Sequence, residues 1–132
     1  MFFTDAVPRT WKRGFEAARV ASLDSVAPHL ARKVGAALFG GSILLALGHN
    51  TYGQSHPDSQ LLCNVHAEHR ALLRRQYYEG RGLIMYVFRQ LASGAQACSK
   101  PCANCIGLMR IAGVRAVRFI NDRGKAEEIN VS

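Results

Sequence analysis

Two short stretches of the 132-residue chain carry side chains able to hold a metal ion. Val65-His66-Ala67-Glu68 places a histidine two residues before a carboxylate. Lys100-Pro101-Cys102-Ala103-Asn104-Cys105 contains a Cys-x-x-Cys pair. Cysteines three apart at the start of a helix can grip one ion from the same turn, and His66 completes a set of three protein ligands. A catalytic zinc has three such ligands and keeps its fourth position open. Zinc lowers the pKa of a bound water to about 7, so hydroxide is available at neutral pH. Glu68 need not be a ligand; it can stand beside that water and carry protons.

Each of these residues has an ordinary alternative. Cys102 and Cys105 alone read as buried or redox thiols. His66, Glu68 and Pro101 in the same chain shift the reading to a metal, and Glu68 has no task in a purely structural zinc module. His69 reads as a solvated helix residue, Cys63 and Cys98 as plain thiols, and Tyr77 and Tyr78 as core or interface residues. His49 and His56 lie in a polar stretch able to shape a pocket, with His56 structural rather than catalytic.

The surrounding pattern predicts the elements that must position these groups. Trp11, Phe15, Ala18 and Ala21 recur at helical spacing, which predicts an amphipathic helix from Thr10 to about Ala21. Val34 to Phe39 and Ile43 to Leu47 flank Gly40-Gly41 and read as a hairpin, followed by a polar loop from His49 to Gln60. A helix is expected from Val65 to about Tyr78 and a strand from Leu83 to Phe88. Ser93 to Lys100 reads as a loop, with Pro101 in the first turn of a helix that Gly113 closes. Val114 to Ile120 is a strand, Asn121-Asp122-Arg123-Gly124 a turn, and Ala126 to Val131 a returning strand. Helices alternating with strands predict an α/β chain: one mixed sheet covered on both faces.

The totals set limits. A chain this long suits one domain spanning residues 1–132. No apolar run reaches the roughly 18 residues of a membrane span, and the start lacks a basic segment followed by an apolar one, so a soluble cytoplasmic protein is expected. The formal charge of +8 favours phosphorylated or polyanionic partners, although the basic residues are scattered and form no arm.

His-x-Glu followed by Pro-Cys-x-x-Cys is the signature of zinc-dependent base deaminases. The chain resembles the cytidine and deoxycytidylate deaminase superfamily over about Val34 to Ile120. "KVGAALF", "GGSILLALGHN", "HAE" and "KPCANCIGLMRIAGVRAVRFI" fall in the family's order. The resemblance implies a three-layer α/β/α sandwich with a mixed five-stranded sheet. It assigns Zn2+ to His66, Cys102 and Cys105, and the proton shuttle to Glu68. Asn50 matches the family asparagine that contacts base or sugar, and Ala67 would line the base pocket through its backbone. The implied reaction is hydrolytic conversion of cytosine to uracil with release of ammonia. It also implies a homo-oligomer.

The substrate stays open at this level. His66 stands where tetrameric free-cytidine enzymes usually carry Cys, as in the deoxycytidylate, transfer-RNA adenosine and nucleic-acid-editing branches. The turn at Asn121–Gly124 predicts a C-terminal hairpin instead, as in free-nucleoside and bacterial toxin deaminases. Small phage and bacterial proteins also share the look of the 48–68 region, which would put the protein in a host cytoplasm if a phage encodes it. A free (deoxy)cytidine or (d)CMP is the expected substrate. A cytosine or adenine base in single-stranded DNA or RNA is the alternative, favoured by the charge and disfavoured by the lack of an aromatic platform.

Overall fold

The computed structural model describes residues 7–24, 33–55, 62–75, 82–91 and 95–131. Its architecture follows from alternation along two central strands. In β1 (Lys33–Gly40), Ala36 and Leu38 pack to one face while Ala37 and Phe39 pack to the other. In β5 (Leu83–Gln90), Met85 and Val87 oppose Tyr86 and Phe88 in the same way. Strands apolar on both faces need cover on both sides. Helices α2 (Ala67–Arg74) and α3 (Ala103–Ile111) bring Ala67, Ala71, Cys105 and Met109 to the face of Ala36 and Leu38. Helix α1 (Lys12–Ser22) brings Phe15 and Ala18 to the face of Ala37 and Phe39. These are the three layers expected.

The main sheet runs β2-β1-β5-β7-β8, where β2 is Ile43–His49, β7 is Val114–Ile120 and β8 is Ala126–Asn130. All neighbours are antiparallel except β5 and β7. A parallel pair requires a crossover, and α3 lies in it. The expected C-terminal hairpin is present. Asn121 Oδ1 accepts the Arg123 and Lys125 N–H groups, and Gly124 takes a φ of 76° between them.

Several boundaries differ from the sequence expectation. The stretch expected as a polar loop contains β3 (Thr51–Ser55), which pairs with β4 (Leu62–Val65) as a separate two-stranded sheet. The 93–100 loop contains a two-residue strand, β6 (Gln96–Ala97), on the edge of β5. Both are held by backbone pairing over polar or very short sequence, which leaves no apolar period to detect. The β1–β2 turn falls on Gly41-Ser42, one residue later than expected, with a positive φ at Gly41.

The helices also shift. A 3-10 turn, Arg9–Trp11, precedes α1. Helix α2 starts at Ala67 and ends at Arg74, short of Tyr78; Arg75 is already extended, and its guanidinium donates to the Ala112 carbonyl at the end of α3. Residues 76–81, with Tyr77 and Tyr78, lie outside the described residues, as does His56. Pro101 lies before α3 and not in its first turn, because Cys102 takes the extended N-cap conformation, φ −75° and ψ 166°. Among the described residues no helix is long and apolar enough to cross a membrane.

Candidate active site

The site lies where two helices begin. His66 is the N-cap of α2 and Cys102 the N-cap of α3. An N-cap residue keeps extended backbone while its carbonyl accepts the first helical bond. Arg70 N–H donates to His66 O, and Ile106 N–H donates to Cys102 O. Both caps therefore turn their side chains out of the helical ridge at the positive ends of two helices. Glu68 stands in the first turn of α2 and Cys105 in the first turn of α3.

Two structural details place these starts. Gly48 in β2 lets α2 sit directly on the sheet: a Cβ there would lie 2.2 Å from Ala67 O and 2.5 Å from Ala71 N. Ser99 fixes the segment entering α3. Its Oγ donates to Val87 O at 2.8 Å and accepts Ile120 N–H at 2.9 Å, and its own N–H donates to Ile120 O. Ser99 thus ties the residues before Cys102 to the ends of both β5 and β7.

The candidate ligands meet. His66 Nδ1 is 3.1 Å from Cys105 Sγ and 3.5 Å from Cys102 Sγ, and all three donor atoms lie within 4.8 Å of one another. A tetrahedral zinc with bonds of about 2.0–2.3 Å holds its ligands roughly 3.5 Å apart, so this donor set fits one zinc ion in both chemistry and spacing. Cys105 is buried, while His66 and Cys102 are exposed, which leaves one side of the trio open.

Glu68 is only 4% exposed. Burial pushes its carboxyl above the ordinary range, partly offset by its own backbone N–H at the helix start and by His66 and Cys105. Burial likewise pushes the Cys105 thiol up, reinforced by the adjacent Glu68 and Cys102. A bound dication reverses that balance, since a coordinating thiol is deprotonated outright.

The open side is a cleft of about 290 Å³. His66, Ala67, Glu68, Cys102 and Asn50 line it, so the structure brings together the residues singled out from sequence. Asn50 follows β2, and its Oδ1 accepts Val34 N–H at 2.9 Å, which orients the amide. Cys98 lines the cleft beside them. His49 and His69 do not line it. His49 is held below the ordinary histidine range, first by burial and then by Arg70 and Arg74 of α2, with Asp24 pulling the other way.

Sequence reading gave no part in the cleft to Val34, Val87, Arg89, Cys98, Ser99 or Lys100, all of which line it. Parity along β5 was the available signal for Arg89, since it shares a strand face with Val87. Nothing local marked Ser99, whose partners are 12 and 21 residues away in sequence.

Comparison with known proteins agrees with this geometry. A family profile described as the cytidine and deoxycytidylate deaminase zinc-binding region matches residues 9–121. No curated protein matches the chain in sequence. Among solved structures, the dCMP deaminase of cyanophage S-TIM5 is similar, with a TM-score of 0.59 at 23% identity over 83% of this chain and 81% of that one. The cytidine deaminase of Burkholderia pseudomallei gives 0.61 at 21% identity over 90% and 91%. That of Mycobacterium leprae gives 0.60 at 22% over 92% and 94%. At these identities the structures speak for the fold, while the profile covers most of the chain, including both halves of the metal motif. The chain belongs to the cytidine and deoxycytidylate deaminase family and is a zinc-dependent hydrolase.

Proposed function

We propose that the protein hydrolyses the exocyclic amine of cytosine in a free (deoxy)cytidine or (d)CMP-type substrate, giving uracil and ammonia. One observation carries the reading: a buried carboxyl, Glu68, stands beside three clustered metal donors at two converging helix starts, with an open cleft in front. His66, Cys102 and Cys105 hold the zinc. When bound, the ion supplies Lewis acidity that makes a hydroxide nucleophile available near neutral pH. Glu68 takes the first proton of the attacking water and delivers it to the ring nitrogen, then takes the remaining proton of the added hydroxyl as the carbonyl forms and passes it to the departing amine. Its burial suits this task, because it strengthens the hold of the carboxyl on a proton that it must first accept and then return. Asn50, oriented by Val34, and the backbone of Ala67 hold the substrate. Water adds, ammonia leaves, and the atoms balance without a further reactant.

A strand-editing reading rests on the +8 charge. Against it, several cations already serve the protein. Arg13 lies over Phe39 and donates to Ser42 O, Arg118 lies over Trp11 and pairs with Glu128, and Arg110 donates to Val131 O. No aromatic residue lines the cleft among the described residues. Exposed Leu73, Leu108 and Ile111 on the outer sides of α2 and α3 support self-association. Work on free nucleotides suits a cytoplasmic location.

Glu68→Gln tests the mechanism. It preserves shape and removes the proton carrier, so the variant should keep its fold and zinc while turnover falls by about 10²–10⁴. Undiminished deamination by a zinc-loaded Glu68→Gln protein would remove Glu68 from the reaction.

A further inference from the structure

The cleft holds two cations that the deamination chemistry does not use. Arg89 comes from β5, on the same strand face as Val87, which also lines the cleft. It is half-buried, and its Nη1 donates to the Cys98 carbonyl at a long 3.4 Å. Among the described residues its buried Nε has no hydrogen-bond partner and Arg89 makes no ion pair. A guanidinium drawn from water without a matching anion is unfavourable unless something supplies one. Among the described residues the one carboxylate lining the cleft is Glu68, which the reaction occupies. Lys100 is exposed at the rim, on the segment that Ser99 clamps in front of Cys102.

Arg89 pairs across the sheet with Val34, whose N–H orients Asn50, and these three residues line the same cleft as His66, Ala67, Glu68 and Cys102. We propose that Arg89 and Lys100 form a phosphate subsite, and that the preferred substrate is a cytosine nucleoside 5′-monophosphate. Arg89 supplies planar donors that match phosphate oxygens, and Lys100 supplies a mobile point charge at the rim. A single phosphate satisfies two cations, whereas a strand needs a track of them with stacking surfaces, which the described cleft lacks. This inference rests on the cytosine-deaminase reading above and adds the identity of the anion.

The test compares kcat/KM for CMP, dCMP, cytidine and deoxycytidine in the zinc-loaded wild type, Arg89→Gln, Arg89→Lys and Lys100→Gln. The wild type should favour each monophosphate over its nucleoside by at least about tenfold. Arg89→Gln should lower kcat/KM for monophosphates by roughly 10- to 100-fold, mainly through KM, and leave nucleosides within about threefold. Arg89→Lys should fall between, and Lys100→Gln, at an exposed position, should show a smaller loss of the same selectivity. Inorganic phosphate should inhibit dCMP turnover competitively, and less in Arg89→Gln. Equal losses on nucleosides and monophosphates in Arg89→Gln and Lys100→Gln would overturn the subsite. So would a wild type that prefers nucleosides; in that case the deaminase reading survives and only the subsite falls. If no free cytosine compound turns over, the deaminase reading of free substrates fails, and calorimetry of dCMP against deoxycytidine on the wild type still decides the subsite: equal binding, or none, overturns it. Deamination of an oligonucleotide alone, falling about 10³–10⁵ in affinity between 50 and 200 mM salt, would replace the single phosphate by a strand.

Discussion

Replacing Gly48 by alanine should separate folding from catalysis. Gly48 lies in β2 under the first turn of α2, and an added Cβ meets Ala67 O at 2.2 Å and Ala71 N at 2.5 Å. Ordinary contact begins at 3.4 Å, so α2 must retreat from 2.2 to 3.4 Å, about 1.2 Å. Both obstacles are backbone atoms, so no change of rotamer relieves them. Overpacking of this kind costs about 1–3 kcal/mol, which lowers Tm by roughly 3–15 °C in a domain of this size. The consequence for the site is larger. Helix α2 carries His66 and Glu68, whereas Cys102 and Cys105 belong to α3, which packs on β7 and not on β2. A 1.2 Å retreat stretches the His66–Cys105 and His66–Cys102 spacings of 3.1 and 3.5 Å beyond what one zinc with bonds of about 2.0–2.3 Å can span. Misplacement by about 1 Å alone costs on the order of 10²-fold in rate. Gly48→Ala should therefore keep its far-UV circular dichroism, melt lower, carry less than one zinc per chain by elemental analysis, and lose about 100-fold or more in kcat/KM. Gly107→Ala is the matched control, since a Cβ at Gly107 in α3 meets nothing within 4 Å; helix propensity there adds about 0.5–1 kcal/mol of stability. Wild-type zinc content and activity in Gly48→Ala would refute the argument that this contact sets the ligand geometry.

Two further outcomes follow from the site and its flank. A Cys102→Ser, Cys105→Ser double variant should lose the roughly one zinc per chain of the wild type, and chelation should lower the wild-type Tm while leaving that of the double variant unmoved; full zinc retention in the variant would defeat the ligand assignment. His49, facing Arg70 and Arg74 with Asp24 opposing, has a lowered pKa, so the folded state binds fewer protons than the unfolded chain below about pH 6.5 and stability is lost as pH falls from there. His49→Gln should flatten that acid limb in urea midpoints measured against pH, and parallel curves for the two proteins would exclude the effect.

What could be read from the sequence divides along a physical line. His66, Glu68, Cys102 and Cys105 were legible because metal chemistry demands particular side chains at short, fixed spacings, and a helix start brings each pair together locally. The layers were legible because β1 and β5 repeat apolar residues on both faces. The ends of α2 were not, since Arg75 leaves the helix to reach Ala112 O, 37 residues away. Strands β3, β4 and β6 also escaped, because β3 is polar and β4 and β6 span only four and two residues, too few for a period to show. Ser99 shows the same limit within the site. A serine before a proline and a cysteine has no local mark, yet it fastens Val87 and Ile120 together and sets where Cys102 begins its helix.

The charge illustrates why composition alone does not identify a partner. A value of +8 invites a polyanion as partner. The structure instead distributes that charge among separate tasks. Arg118 spans Trp11, Tyr86 and Glu128 on the α1 side of the sheet, donating to Tyr86 Oη at 2.5 Å, so it secures the N-terminal helix. Arg13 joins α1 to the β1–β2 turn through Ser42 O, and Arg75 and Arg110 satisfy carbonyls that follow α3 and β8. Each of these cations is committed to its own local partner, Arg118 half-buried and Arg13, Arg75 and Arg110 at the surface, and they do not form a continuous binding track. Two cations line the cleft, Arg89 and Lys100, and the proposed subsite asks no more of them than one phosphate beside one base. The same arginine count would serve a nucleic-acid editor only if the guanidiniums lay along a common groove, and in the described residues they lie on both faces of the sheet.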